Sequence, residues 1–222
     1  IRVIAKIERQ EALHHLDEIL GETDGVMIAR GDLGVQTPIE EVPAVQKRII
    51  QKANILGRPV ITATQMLMSM TDNIRPTRAE VTDVANAILD GTDAVMLSEE
   101  TSIGKYPVET VAMMAKIARS TEEKRTAVGG RCAPLSYFRE GKGRERITVN
   151  DVVSLNVIEA LDALNIRFVL TPTRSGSTPR NISRFKPGAW ILAFTRNPAT
   201  SRFLAFSYGV CPFLIRSEKE YW

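Results

Sequence analysis

TDGVMIARG, residues 23–31, and TDAVMLSEE, residues 92–100, are two versions of one phrase. Each opens on Thr-Asp, runs through an apolar stretch and ends in polar or charged residues. Continuous apolar runs of this length read as strands buried on both faces, as in parallel sheets covered by helices. The surrounding chain keeps the same alternation. RVIAKIE (2–8) is a strand and EALHHLDEIL (11–20) a helix. DGVMIARGD (24–32) is a strand, and PIEEVPAVQKRIIQKANILG (38–57) a helix ended by Gly57 at a C′ position. RPVITATQM (58–66) is the third strand. RPTRAEVTDVANAILDG (75–91) is a helix with Pro76 near its first turn and Gly91 after its last. The second copy of the phrase is a fourth strand, and YPVETVAMMAKIARSTEEK (106–124) a fourth helix.

Four β–α units in succession imply parallel strands joined by right-handed crossovers. Repetition two units apart suits a (β/α) barrel better than an open sheet with a single switch point. A complete barrel needs about eight strands, so the reading is a partial one. Residues 1–125 form this first domain. Residues 126–148, rich in Gly and Arg and without clear periodicity, read as a linker. Residues 149–222 form a smaller α/β layer: a helix at 148–165, then strands at 166–173, 189–195 and 210–215 alternating with short helices.

Composition bounds the rest. With 44% hydrophobic and 25% charged residues in 222, the chain is globular rather than disordered. No apolar run approaches the roughly 18 residues of a membrane span, and no signal-like segment opens the chain. Cys132 and Cys211 offer no disulfide framework, so a cytoplasmic location is expected. Residues 1–130 carry 15 Lys+Arg against 19 Asp+Glu, and residues 131–222 carry 14 against 7. The basic second part can attract an anion. Its cations are scattered and not interleaved with aromatics, so nucleic acid is not expected as a partner, nor a membrane.

Barrel chemistry collects at the carboxyl ends of strands. Here those ends read Lys6 and Glu8, then Arg30-Gly31-Asp32, then Thr64-Gln65, then Ser98-Glu99-Glu100. Lys6 and Glu8 are two apart and share a strand face. Glu8 and Asp32 come from consecutive strands, and two hard oxygen donors without histidine favour Mg²⁺ or Mn²⁺. The alternative is that Glu8 merely neutralises Lys6. Lys6 is then a fixed positive charge suited to an oxyanion or a transferring phosphoryl group. Gly31 and Gly34 permit a tight turn, and a helical turn beginning there presents the Gly31 and Asp32 amides to an anion. A plain βα turn explains the same residues.

Adjacent His14 and His15 point about 100° apart on a helix and read as structural rather than metal-binding. Met66, Met68 and Met70 read as core or loop contacts. In TPTRSGSTPRNISRF (171–185), Thr178 is placed as a helix cap with Pro179 at the first position. Free amides, hydroxyls and Arg174, Arg180 and Arg184 make either a phosphate cradle or a capped loop without a ligand.

VIAKIERQEAL, MIARGDLGV, ITATQMLMSM, RPTRAEVTDVANAILDGTDAVMLSEET and GKYP, in this order, closely resemble the barrel segments of pyruvate kinases. TRSGSTPRNISRFKP followed by AFTRNPAT resembles that family's carboxy-terminal domain. The resemblance implies strands five to eight of a (β/α)8 TIM barrel followed by an incomplete effector-type domain. It implies phosphoryl transfer from phosphoenolpyruvate to ADP in glycolysis, giving pyruvate and ATP, with Mg²⁺ (or Mn²⁺) and K⁺. Lys6 matches the lysine that stabilises the transferring phosphoryl group and the enolate, and Glu8 and Asp32 match the metal ligands. Gly31, Asp32 and Thr64 match the substrate-binding positions. Ser98 and Glu100 fall in the segment tied to proton delivery. Thr173, Ser175, Gly176, Ser177 and Thr178 match the loop that holds an effector phosphate in regulated members, and the family implies a homotetramer. Pro179 replaces a small residue, and SEET replaces SGET. The K⁺ ligands, the lid over the nucleotide and the first four strands fall on segments this chain lacks, so residues 1–222 by themselves are expected to be inactive. The competing reading is a catalytically silent chain that binds a phosphorylated metabolite or assembles with a partner half. Another Mg²⁺-dependent barrel enzyme acting on enolates fits the ordered motifs less well.

Overall fold

The computed structural model describes residues 1–125, 133–139 and 147–215. They fold as two compact units, the first holding four strands and the second three. Among the described residues no helix is long and apolar enough to cross a membrane.

In the first unit, β1 (Ile4–Ile7), β2 (Gly25–Ala29), β3 (Val60–Ala63) and β4 (Ala94–Met96) lie in the order of the sequence. All three pairings are parallel, with Lys6 opposite Met27, Ile28 opposite Thr62 and Ala63 opposite Met96. The strands therefore run in one direction, and their carboxyl ends form one rim. β3 is buried throughout and β2 nearly so, whereas β1 and β4 at the edges are covered in part. A central parallel strand is covered on both faces, which is why these two carry no alternation.

The helices break where local chemistry dictates. The run read as one helix divides at His15 into α1 (Gln10–His14) and α2 (Leu16–Glu22). Both histidines are exposed, and His15 Nδ1 lies 3.3 Å from Glu18 Oε1. α3 (Arg30–Gln36) begins directly at the end of β2. A 3-10 turn, Ile39–Glu41, precedes α4 (Val42–Ile55), which faces Val45, Ile49, Ile50 and Ala53 inward. Complete burial of Ile49 and Ile50 contributes about 1.5–3 kcal/mol each. Met66 and Met70 are fully buried and pack with Val84, Ala87 and Ile88 of α5 (Arg78–Asp90). Their role is packing.

α5 starts later than Pro76 suggested. Thr77 is the N-cap in a capping box, its hydroxyl accepting from Glu80 N while the Glu80 carboxylate takes Thr77 N and Oγ1. Gly91 closes the helix at φ +97°. Glu80 also accepts from Ser69 N (2.6 Å) and Ser69 Oγ (2.5 Å), tying α5 to the 3-10 turn Met68–Thr71. Partial burial pushes this carboxyl up, but the bonds from Ser69 and Thr77 outweigh it and leave the group below its usual value of 4.5. A depressed carboxyl stabilises the fold above the unfolded value, and that stability is lost as pH falls through the folded one. Urea midpoints between about pH 3 and 7 should therefore fall on acidification, and Glu80→Gln should flatten that limb; an unchanged slope would contradict it.

Beyond β4 come α6 (Glu99–Ser102) and α7 (Pro107–Lys124). Part of the segment read as a linker is helical: α8 (Ala133–Arg139) sends Phe138 edge-on to Phe185 at 5.8 Å, and residues 126–132 and 140–146 lie outside the described ones. Aromatic packing orders a stretch whose composition alone read as loop.

The second unit carries α9 (Val149–Leu164), β5 (Phe168–Pro172), α10 (Ser177–Ser183), β6 (Trp190–Thr195), α11 (Pro198–Leu204) and β7 (Val210–Leu214). Its sheet has the order β5-β6-β7, parallel throughout. Ile158, Leu161, Ile182, Ile191, Leu204 and Val210 form its core. α9 has a Thr148–Asp151 capping box, and Asp151 also accepts from the buried Arg184 at 2.7 Å. Residues 216–222 lie outside the described ones.

Candidate active site

At the carboxyl end of β1, alternation places Lys6 and Glu8 on one side, as the two-residue spacing requires. Lys6 forms an ion pair with Glu8, and its Nζ donates to Asp32 Oδ2 at 2.8 Å. Asp32 reaches this point because α3 starts without a connecting loop, so the third residue of that helix overhangs the rim. The hydrogen bond that Lys6 donates to Asp32, then the one it donates to Glu8, raises the Lys6 pKa above its usual 10.5. The bond from Lys6 correspondingly holds Asp32 below its usual 3.8. The cluster thus sets two acidic side chains around one ammonium.

Gly31 and Thr64 lie together at the next position on the rim. Gly31 N donates to Thr64 Oγ1 at 2.8 Å, and Thr64 Oγ1 donates to Ala63 O at 2.6 Å. The Gly31 amide is thus already engaged by a hydroxyl just beyond the carboxyl end of β3. A Cβ on Gly31 would stand 3.4 Å from Thr64 Oγ1, an ordinary contact distance. Thr64 and Gln65 both adopt left-handed backbone, at φ +68° and +52°. For residues with a Cβ this conformation costs about 1–2 kcal/mol each. Strain of this kind persists when neighbours over-determine it.

The neighbour is Arg30, which the sequence places at the strand end but to which it assigns no role of its own. Its guanidinium, 8% exposed, donates to Thr64 O (3.0 Å) and Gln65 O (3.1 Å) through Nη2 and to Asp83 Oδ1 (2.7 Å) through Nη1. The sequence signal was an arginine ending an apolar run, which has no reason to be buried until three distant segments supply acceptors.

At β4 the predicted residues take a different place. Glu100 is fully buried, and its two oxygens accept from Met66 N (3.1 Å), Leu67 N (3.1 Å) and Ser98 N (2.8 Å). It fastens α6 to the segment after β3 and does not join the Lys6 cluster. Ser98 is half-buried at the N-cap of α6, without a side-chain cap bond. Gly104 passes so close that a Cβ would meet Glu100 O at 2.3 Å.

In the second unit, Gly176 and not Thr178 caps α10, at φ +81°. A side chain there would press on Leu204 and Thr200, at 3.1 and 3.2 Å, so glycine takes the cap and Thr178 falls inside the helix with Pro179. The loop holds itself in shape: Gly176 N donates to Thr173 Oγ1 (2.9 Å), Ser177 N to Ser175 Oγ (3.3 Å) and Thr200 Oγ1 to Arg174 O (3.0 Å). Thr173 and Arg174 border an open cavity of about 690 Å³ that Thr195, Arg196 and Asn197 also line.

Glu8 and Asp32 fit a hard divalent cation, because both carboxylates already converge on a single positive charge, the Lys6 ammonium. No group of three or more His, Cys, Asp or Glu side chains suited to a metal occurs among the described residues. A cation held here would keep most positions for water or substrate oxygens, as Mg²⁺ does.

Residues 1–111 match the family description "Pyruvate kinase, barrel domain", and residues 151–221 match "Pyruvate kinase, alpha/beta domain". A pyruvate kinase of Thermococcus litoralis is 60% identical over 211 residues, covering 95% of this chain and 44% of that protein. One of Geobacillus stearothermophilus is 50% identical over 210 residues, covering 95% of this chain and 35% of its own length. The crystal structure of a pyruvate kinase from Cryptosporidium parvum superposes with a TM-score of 0.88 at 39% identity, covering 98% of this chain and 43% of that one. The chain thus spans roughly two fifths of the length of these relatives. Both of its units, in their order and over nearly their whole length, place it in one family: the chain belongs to the pyruvate kinases.

Proposed function

We propose that this chain carries part of the catalytic rim of an enzyme that transfers phosphate from phosphoenolpyruvate to ADP, forming pyruvate and ATP. The observation that carries the reading is the shared Lys6 ammonium between Glu8 and Asp32 at adjoining strand ends. Glu8 and Asp32 would hold Mg²⁺ (or Mn²⁺), which when bound neutralises the charge of the phosphoryl oxygens. Lys6 stands beside that position and stabilises negative charge on the transferring phosphoryl group and on the enolate oxygen left behind. Thr64 and the start of α3 orient the substrate carboxylate. Ser98 stands near the end of β4 for the later proton delivery to the enolate carbon, and Glu100 holds that segment in place.

The same reading includes K⁺, with no donor set for it assigned among the described residues. It includes a phosphorylated effector at Thr173, Ser175, Gly176, Ser177 and Thr178, a homotetramer, and the division into 1–125, 126–148 and 149–222. A lactate-dehydrogenase-coupled assay tests the central claim. The complete polypeptide carrying this segment should form pyruvate and ATP in equal amounts, dependent on Mg²⁺. Residues 1–222 by themselves should form none, because they supply four strands of a barrel that closes with about eight. Turnover by the short chain, or none by the complete one, refutes the respective statement.

A further inference from the structure

We propose that Arg30 is a positioning residue for substrate binding: its buried guanidinium fixes the left-handed Thr64–Gln65 turn and thereby sets where the Thr64 hydroxyl and the Gly31 amide stand. Three observations meet on it. Thr64 and Gln65 are consecutive non-glycine residues at φ +68° and +52°. Both of their carbonyls point at Arg30, which reaches Thr64 O through Nε (3.3 Å) and Nη2 (3.0 Å) and Gln65 O through Nη2 (3.1 Å). The peptide so held carries the Thr64 hydroxyl that receives Gly31 N.

The guanidinium is itself fixed. Nη1 donates to Asp83 Oδ1 at 2.7 Å and to Gln46 Oε1 at 3.4 Å, so α4 and α5 hold the far side of the fork. A planar group with several fixed donors can serve two carbonyls and a carboxylate at once, which a lysine ammonium on a flexible stem cannot do in the same geometry. Arg30 touches no part of the Lys6 cluster. It acts through the turn, at the strand end next to Asp32. The consequence for catalysis rests on the kinase reading; the effect on the Gly31 amide does not.

The test uses the complete polypeptide with Arg30→Lys and, as a milder variant on a half-exposed partner, Asp83→Asn. Amide hydrogen exchange should quicken at least about tenfold at Gly31 in Arg30→Lys and about threefold in Asp83→Asn, with Ile28 of β2 changed less than about twofold. KM for phosphoenolpyruvate should rise about tenfold in Arg30→Lys, with KM for ADP within about twofold. Unchanged exchange at Gly31 overturns the proposal whatever the activity, as does equal quickening at Ile28, which reports general loosening. Quickened Gly31 exchange with an unchanged KM for phosphoenolpyruvate overturns the positioning role. A wild-type polypeptide without turnover refutes the kinase reading instead. Oxalate binding by calorimetry then replaces KM: a tenfold weakening in Arg30→Lys supports the clamp, and equal binding, or none to the wild type, overturns it.

Discussion

Lys6→Met should lower kcat about 10³-fold with little change in folding, in the complete polypeptide assayed with phosphoenolpyruvate and ADP. The side chain is half-exposed and its partners are two solvent-facing carboxylates, so the fold does not depend on it. In the proposed phosphoryl transfer the rate does, because a preorganised charge aimed at a developing anion typically accounts for about 10² to 10³ in rate. Removing the ammonium leaves Glu8 and Asp32 facing one another without a cation, so Mn²⁺ binding, followed by electron paramagnetic resonance, should be retained or strengthened. Lost turnover with retained Mn²⁺ binding separates phosphoryl stabilisation from metal binding. A variant that keeps normal turnover removes Lys6 from the mechanism, and one that loses Mn²⁺ together with turnover shows that the cluster has collapsed. Lys6→Arg keeps the charge but replaces a compact ammonium with a broad fork, and recovers at most a small part of the rate.

Glu100→Ala should be the most destabilising single change in the first unit, by about 3 kcal/mol or more. Three backbone amides, of Met66, Leu67 and Ser98, lose their acceptor at a fully buried position. Each buried donor left unpaired costs about 1–3 kcal/mol. Glu100→Gln keeps the shape and can still satisfy Met66 and Leu67 with one oxygen, but it turns an NH₂ toward Ser98 N. Its expected cost is about 1–2 kcal/mol. Urea midpoints at constant slope measure both. Because Glu100 has its oxygens taken by amides, turnover of folded Glu100→Gln should stay within about tenfold of wild type. A folded Glu100→Gln whose turnover drops 10²-fold or more would instead make the carboxylate a participant in proton delivery.

These residues show where sequence reading succeeds and where it stops. Lys6 and Glu8 were legible as neighbours because two-residue alternation is a covalent property of an extended chain. Asp32 joined them by the parallel order of consecutive strands, itself legible from four β–α repeats. His14 and His15 lie exposed on α1 and the break after it. Glu100 was read as part of the catalytic rim because it follows a strand end. Its burial became visible only once the segment after β3 brought Met66 N and Leu67 N within 3.1 Å. Pro76 and Thr178 misplaced two helix starts by a few residues. At the first, the Thr77–Glu80 box was written in the spacing as Thr-x-x-Glu; at the second, Gly176 won the cap because only a glycine fits against Leu204.

The sequence by itself determined the alternation of strands and helices, their parallel sense, the rim on which polar residues collect and the family. These are local periods or ordered motifs, and they need no partner to be read. The tertiary structure decided which rim residues meet, which are buried and which conformations they are held in. Arg30 finds its acceptors 34, 35 and 53 positions away, and without them neither its burial nor the left-handed Thr64–Gln65 turn has a cause. A buried charge is stable only where its partners converge, and convergence is a property of the fold.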